Sequence, residues 1–229
     1  MKNYGFTLAE VLITLGIIGV VAALTLPALV QNNRNREMQT RLKRGYSVLS
    51  QALDMYQAEN GERITPQTKI GWDLKPVLMK YLKTVKDCGY GSLDDDACIP
   101  NYGPDNEKNS TKYTTYNGKT LYLNYFDDGQ FVLNDGSLVL LESAASATNL
   151  YISIDVNGYN KRPNRLGQDL FTFQIDKKGI LKPMGAEGTT FSLSEYPSYC
   201  NPKSTDINNG ISCTYKALTE PDYFKNLPK

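Results

Sequence analysis

Residues 5–30 read GFTLAEVLITLGIIGVVAALTLPALV, and the last twenty of them, from Val11 onward, carry no charge. Twenty helical residues rise about 30 Å, which is the thickness of the hydrocarbon core of a bilayer. The stretch therefore predicts a transmembrane helix over residues 6–30. Glu10 lies at the front of this helix, where a lone carboxylate is unfavourable and by default has a partner.

Two ordinary segments share this apolar pattern. A secretory signal has an apolar core of roughly 7–15 residues followed by a small-residue cleavage site, and Val21-Ala22-Ala23 could serve as that site. A simple membrane anchor requires only an apolar segment long enough to cross the bilayer. Neither explains Glu10, nor why only the five residues MKNYG, with one cation, precede Phe6.

The hexapeptide Gly5-Phe6-Thr7-Leu8-Ala9-Glu10 resembles the prepilin-type cleavage and methylation motif of the type IV pilins and of the pseudopilins of type II secretion. The resemblance implies that prepilin peptidase, a membrane aspartyl peptidase, cuts after Gly5 and methylates the new N-terminal Phe6. Residues 1–5 would then be a leader. In a filament, the Glu10 carboxylate can meet the Phe6 ammonium of a neighbouring subunit, since each buried charge needs the other.

The helical pattern continues beyond the apolar segment. Its stripe consists of Met38, Leu42, Tyr46, Leu49, Leu53 and Tyr56, at the spacing of one helix face. Residues 31–60 are therefore predicted as an amphipathic continuation that ends at the C-cap Asn60-Gly61, giving one helix on the order of 80 Å long. Pro27 removes a backbone hydrogen bond inside it, so the helix should bend or open there.

Residues 61–229 predict a head of the α+β class, in which the long helix packs on a small antiparallel sheet. A second short helix is predicted over Trp72–Leu82, followed by a long loop over residues 84–118. The turn pairs Asp128-Gly129 and Asp135-Gly136 suggest hairpins. The predicted strands are Leu121–Phe126, Phe131–Leu133, Ser137–Leu141, Tyr151–Asp155 and Phe171–Ile175.

The four cysteines form two sequence-local pairs, Cys88 with Cys98 and Cys200 with Cys213. With no histidine in the chain and no Cys-x-x-Cys spacing, a zinc site is disfavoured. Local disulfides, and hence an oxidising compartment, are the favoured interpretation. Four unrelated thiols or a cross-pairing remain open, because connectivity does not follow from sequence.

The charge pattern argues against catalysis and against a global attraction to nucleic acid. The chain has 25 basic and 24 acidic residues and lacks histidine, the commonest general base. A basic group follows the apolar segment: Arg34, Arg36, Arg41, Lys43 and Arg44. Counted alone, it favours a cytoplasmic head, whereas the cleavage motif and the cysteines place the head outside. It is a solvated helix face, or it contacts anionic lipid or DNA.

Asp155-Val156-Asn157-Gly158, together with Asp169, is the most distinctive stretch of the head. It is loosely similar to the calcium loop of the major secretion pseudopilins, which makes Asp155, Asn157 and Asp169 candidate calcium ligands. The spacing departs from the EF-hand pattern, where glycine is sixth rather than fourth. An Asn-Gly turn whose polar side chains bind backbone groups is the alternative.

The sequence thus predicts a non-enzymatic, single-pass inner-membrane protein with its N-terminus in the cytoplasm and its head outside. Its function is that of a structural subunit, a minor pilin or pseudopilin, in a type IV pilus-like or type II secretion filament. The expected partners are prepilin peptidase, other pilin or pseudopilin subunits and membrane lipid. The alternative is a membrane-anchored binding, adhesion or DNA-uptake module exported through the pilin pathway.

Overall fold

A computed structural model describes residues 5, 7–68, 71–91, 98–99, 113–121, 126–143 and 149–228. The helices are α1 (Leu8–Asn60), α2 (Gly71–Tyr81) and α3 (Cys213–Thr219), with short 3₁₀ turns at Pro197–Cys200 and Tyr223–Lys225. The strands are β1 (Thr84–Asp87), β2 (Gly129–Leu133), β3 (Leu138–Ser143), β4 (Leu150–Asp155), β5 (Leu170–Ile175) and β6 (Leu181–Pro183). The chain divides into two compact units, residues 1–37 and 38–229.

The first unit contains the apolar part of α1. Its best 18-residue window has a mean hydropathy of 2.4, and none of that window is buried within the chain. Among the described residues, α1 is the one helix long and apolar enough to cross a membrane by length and composition. Such a surface is unfavourable in water, so it requires lipid or other helices around it.

The second unit, the head, is built on a six-stranded sheet in which consecutive strands pair antiparallel, in the order β1 to β6. This confirms the predicted α+β class with an antiparallel sheet. The turn at Asp135-Gly136 joins β2 to β3, and Gly136 takes the left-handed φ of 85° that this turn requires. Strands β4 and β5 are buried along their whole length, because both faces of the sheet are covered.

The second part of α1 covers one face of the sheet with the predicted stripe. Met38, Leu42, Leu49, Leu53 and Tyr56 are buried there. Tyr46 stacks on Phe173 of β5, with ring centroids 5.4 Å apart. Gly45, which the apolar pattern did not single out, is also buried: a Cβ at this position would lie 2.8 Å from Ile154. Glycine therefore lets the helix approach the sheet closely.

Three elements differ from the sequence prediction. Thr84–Asp87, predicted as loop, forms edge strand β1, and β6 was not predicted at all. The C-terminal region, for which no helix was predicted, contains α3. The predicted strand over Leu121–Phe126 falls largely on residues 122–125, outside the described residues. Asp128-Gly129 leads directly into β2.

Both local cysteine pairs are disulfides in the structure, Cys88–Cys98 and Cys200–Cys213. All four cysteines are buried. The second bridge fixes the start of α3, from which the Thr214 hydroxyl accepts a hydrogen bond from the Thr172 N–H of β5 (2.9 Å). It therefore links the C-terminal region to the sheet.

Removing the second bridge, by Cys200→Ala with Cys213→Ala, should lower the free energy of unfolding by about 3 kcal/mol, since the unfolded chain regains the entropy of an open loop. Urea unfolding of the detergent-solubilised chain measures this change. The matched variant lacking Cys88 and Cys98 opens a loop of similar length and should lose a similar amount. A Cys98–Cys200 cross-link in non-reducing peptide maps would contradict the local pairing.

Candidate functional site

The N-terminal segment carries a helix cap that involves Glu10. The Glu10 carboxylate accepts hydrogen bonds from the Thr7 backbone N–H and from the Thr7 hydroxyl, both at 2.8 Å. In return, the Glu10 N–H donates to the Thr7 hydroxyl oxygen at 3.3 Å. This reciprocal pattern is a capping box. Thr7 was missed as a site residue, although the Thr-x-x-Glu spacing was the signal that could have found it.

The cap gives Glu10 a second role beside the predicted contact with a neighbour. Within one chain, its carboxylate already has two donors from Thr7. A charge partner on another subunit must therefore replace these bonds or add to them. The cleavage-site glycine Gly5 is exposed next to the cap, whereas Phe6 lies outside the described residues.

Helix α1 runs through Pro27 without interruption. Two threonine hydroxyls in the same segment donate to backbone carbonyls one turn back: Thr14 to Glu10 (2.9 Å) and Thr25 to Val21 (2.9 Å). These bonds satisfy polar groups that would be unfavourable in hydrocarbon. The bend or opening at Pro27 stays a prediction for the assembled state.

The basic group after the apolar segment is partly engaged with the head. Arg41 donates from Nη1 to the carbonyl of Val156 at 3.4 Å. Arg44 lies with Nε 3.5 Å from an Asp135 carboxylate oxygen. These contacts give both side chains a structural role within the head. Binding of lipid or DNA through this basic group, Arg34, Arg36, Arg41, Lys43 and Arg44, stays a prediction.

The loop between β4 and β5, residues 156–169, is held at its start by Asp155. This carboxylate accepts hydrogen bonds from the backbone N–H groups of Asn157 (3.2 Å) and Gly158 (2.9 Å) through one oxygen. Its other oxygen accepts from the Tyr113 hydroxyl at 2.6 Å. Asp155 is fully buried. The predicted Asn-Gly turn is therefore present, with Asp155 binding the backbone.

Asp169 holds the end of the same loop. Its two carboxylate oxygens accept backbone hydrogen bonds from Asn164 (2.8 Å) and Arg165 (2.7 Å). The Asp169 carbonyl also accepts from the Val156 N–H at 2.9 Å, because the two aspartates stand at adjoining ends of neighbouring antiparallel strands. The structure thus brings together the first and last candidate calcium ligands.

Burial makes this pair of carboxylates electrostatically unfavourable when both are ionised. Burial, reinforced by the Asp169 charge, raises the pKa of Asp155 to about 7. Burial and the Asp155 charge together raise the pKa of Tyr113, so its hydroxyl stays protonated as a donor. Among the described residues, the donors to the Asp155 carboxylate are neutral: two backbone N–H groups of the loop and the Tyr113 hydroxyl.

Two further oxygens in the loop are buried and have no hydrogen-bond partner among the described residues, the side-chain carbonyls of Asn157 and Asn164. Both side chains are more than nine-tenths buried. Their amide nitrogens donate to loop carbonyls, from Asn157 to Arg162 (3.3 Å) and from Asn164 to Tyr159 (3.0 Å). Carboxylate and amide oxygens of this kind are ligand types that calcium takes, so the chemical types of the donors in the loop suit calcium.

Comparison with known families places the methylation motif on this chain. Residues 1–26 match the family described as the prokaryotic N-terminal methylation motif. This match confirms the prepilin-type motif predicted from Gly5 to Glu10. Residues 28–87 match a family of unknown function, DUF6613.

Two proteins of type II secretion are similar to part of the chain. The chain is 34% identical over 92 residues to type II secretion system core protein G of Aeromonas hydrophila, covering 39% of this chain and 62% of that protein. It is 39% identical over 59 residues to core protein G of Escherichia coli K12, covering 26% and 40%. The chain thus spans less than two thirds of the length of these relatives. No solved structure matches it.

Proposed function

We propose that this chain is a structural, non-catalytic subunit of a type IV pilus-like or type II secretion filament. The observation that carries the proposal is the methylation motif at residues 1–26, placed directly ahead of an apolar helix that the chain itself leaves uncovered. The similarity to core protein G favours this role over an exported binding or DNA-uptake module.

Processing and placement follow from the same proposal. Prepilin peptidase removes residues 1–5, the apolar part of α1 anchors the protein in the inner membrane, and the head lies outside. Two buried disulfides support a head in an oxidising compartment. The two disulfides and the size of the head favour a minor subunit.

The test is the location of the mature protein. In cells with active prepilin peptidase, sheared filament fractions should contain the chain beginning at N-methyl-Phe6, together with other pilin-type subunits. Mass spectrometry of these fractions identifies both. Mature protein that stays wholly in the membrane fraction while filaments are shed would contradict a role in the filament.

We also propose that the β4–β5 loop binds calcium, with Asp155, Asn157, Asn164 and Asp169 as its ligands. The supporting observations are the two buried carboxylates and the two buried amide oxygens that lack partners. A divalent cation would offset the negative charge of the pair. The ion would thereby stabilise the loop that joins β4 to β5.

Calcium should raise the melting temperature of the protein by about 5–10 °C at a concentration a hundredfold above its Kd. The effect should be larger at pH 8 than at pH 5. Because the folded pKa of Asp155, about 7, exceeds its ordinary value, the metal-free fold loses stability as pH rises toward 7, and protons compete with calcium below it. Thermal unfolding with calcium or with chelator, at both pH values, measures this.

Two variants sharpen the calcium test. Asp169→Asn should remove the calcium-dependent shift, whereas Asp54→Asn changes an exposed carboxylate of α1 and should keep it. Equal melting temperatures with calcium and chelator at pH 8 would contradict the site.

A further inference from the structure

The last described residues of the chain, 223–228, are hydrogen-bonded to the β4–β5 loop, and we call them the C-terminal segment. The Tyr223 hydroxyl donates to the Gly167 carbonyl at 2.6 Å. The side-chain amide of Gln168 donates to the Pro228 carbonyl at 3.0 Å. The two loop residues in these bonds directly precede the aspartate that ends the loop. The C-terminal segment therefore contacts the loop beside one of its candidate calcium ligands.

Apolar contacts also hold the C-terminal segment. Tyr223 and Phe224 are buried. The Tyr223 ring stacks on Tyr116, with centroids 6.2 Å apart, and the Phe224 ring meets the edge of Phe171 in β5 at 6.0 Å. The segment is thus packed on the head, and its two hydrogen bonds to the loop add a direct connection to the candidate ion site.

Residues 164–169 form a closed stretch of the loop. The Asp169 carboxylate accepts the Asn164 N–H at 2.8 Å, and Asn164 takes a left-handed φ of 54°, which is uncommon outside glycine. Gly167 and Gln168 lie within this stretch. An arrangement that fixes the side-chain oxygens of Asn164 and Asp169 therefore also fixes the two groups that bind the C-terminal segment.

We propose that calcium binding in the β4–β5 loop holds the C-terminal segment on the head. Opening of the segment would remove two hydrogen bonds from the loop and loosen the stretch that carries two of the ligands. An ion that binds only the closed loop disfavours this opening by mass action. The inference rests on the proposed calcium site and names the part of the head that the ion controls.

Hydrogen exchange of the detergent-solubilised full chain at pH 8, with calcium chloride or with chelator, tests this coupling. The amides of Tyr223, Lys225 and Asn226 report on the segment, since each donates to a carbonyl three residues earlier. At a calcium concentration a hundredfold above Kd, their exchange should slow by up to about a hundredfold. The amides of Leu82 and Gly179, hydrogen-bonded at the end of α2 and in the β5–β6 turn, should change much less.

Substitutions at the two hydrogen bonds separate coupling from simple support of the fold. The measured quantity is the ratio of exchange rates in chelator and in calcium. Tyr223→Phe keeps the buried ring and removes one bond, so the ratio should fall, and adding Gln168→Met should lower it to that of the control amides. A bond that only supports the fold would speed exchange equally under both conditions. Tyr215→Phe, at an exposed tyrosine of α3, should leave the ratio unchanged.

The outcomes separate this coupling from the calcium site itself. Calcium might raise the melting temperature at pH 8 yet slow exchange in the C-terminal segment no more than at the control amides. That result would overturn the coupling and leave the site standing. A ratio unchanged in the double variant would overturn the coupling too. If calcium leaves the melting temperature unchanged, the site is contradicted, and the coupling with it.

Discussion

Replacing Gly5 with leucine leaves the leader MKNYG attached and abolishes formation of the mature N-terminus. The peptidase implied by the motif needs a small residue before the scissile bond, and Gly5 is that residue. Gly5 has no packing role within the chain, because a Cβ added at this position would have no neighbouring atom within 4 Å. Any effect of the substitution must therefore arise in the peptidase and not in folding. Mass spectrometry of membrane-extracted protein distinguishes an intact Met1 end from N-methyl-Phe6.

A second glycine in the same segment provides the control. A Cβ added at Gly16 would likewise meet nothing within 4 Å, so Gly16→Leu should be processed like the parent. Two results would contradict cleavage after Gly5. One is a mature N-terminus at Phe6 in the Gly5→Leu variant. The other is an uncleaved wild-type chain in cells that carry active peptidase.

Replacing Glu10 with alanine strongly lowers the amount of mature protein in sheared filaments, while membrane insertion and leader removal continue. We expect this because the proposed charge pair between Glu10 and the Phe6 ammonium of a neighbouring subunit, which can form only after cleavage, would lose one member. The ratio of filament-associated to total mature protein measures the effect. The structure adds a competing explanation, since the same carboxylate caps α1 through Thr7.

Two more variants distinguish the two explanations, loss of the charge pair between subunits and loss of the helix cap. Glu10→Gln keeps a side chain that a capping box accepts but removes the charge, so it should assemble as poorly as Glu10→Ala. Thr7→Ala keeps the charge and removes the hydroxyl of the cap, so it should assemble better than either. If Glu10→Gln assembles like the parent and Thr7→Ala does not, the cap is the function of Glu10 and the charge pair is excluded.

Periodicity predicted the second half of α1, because the stripe from Met38 to Tyr56 presents one apolar face to the sheet. Strands β2 to β5 were predicted as short apolar runs bounded by turn residues, and they are largely buried on both faces. Edge strand β1 was not predicted, because its side chains are largely exposed and show no apolar pattern. Its pairing with β2 is also irregular, with a register shift between Thr84 and Lys86. Strand β6 has only three residues and ends at Pro183.

The candidate ligands of the β4–β5 loop could be predicted from the sequence, but their spatial arrangement could not. The aspartates at its two ends were visible, and antiparallel pairing of β4 with β5 brings them together. Tyr113, which donates to Asp155 from 42 residues away, lies in a region without regular pattern. Such long-range contacts follow from tertiary packing alone, as does the closeness of Trp72 to Asp128.

The β4–β5 loop makes hydrogen bonds with residues 223–228, far from it in sequence. The Tyr223 hydroxyl donates to the Gly167 carbonyl across 56 residues, and Gln168 donates to the Pro228 carbonyl across 60. Contacts of such long range form slowly, because loop closure precedes any gain. The β4–β5 loop therefore gains these two contacts only once residues 223–228 are available to it, so a chain shortened before Tyr223 should leave the loop less firmly held.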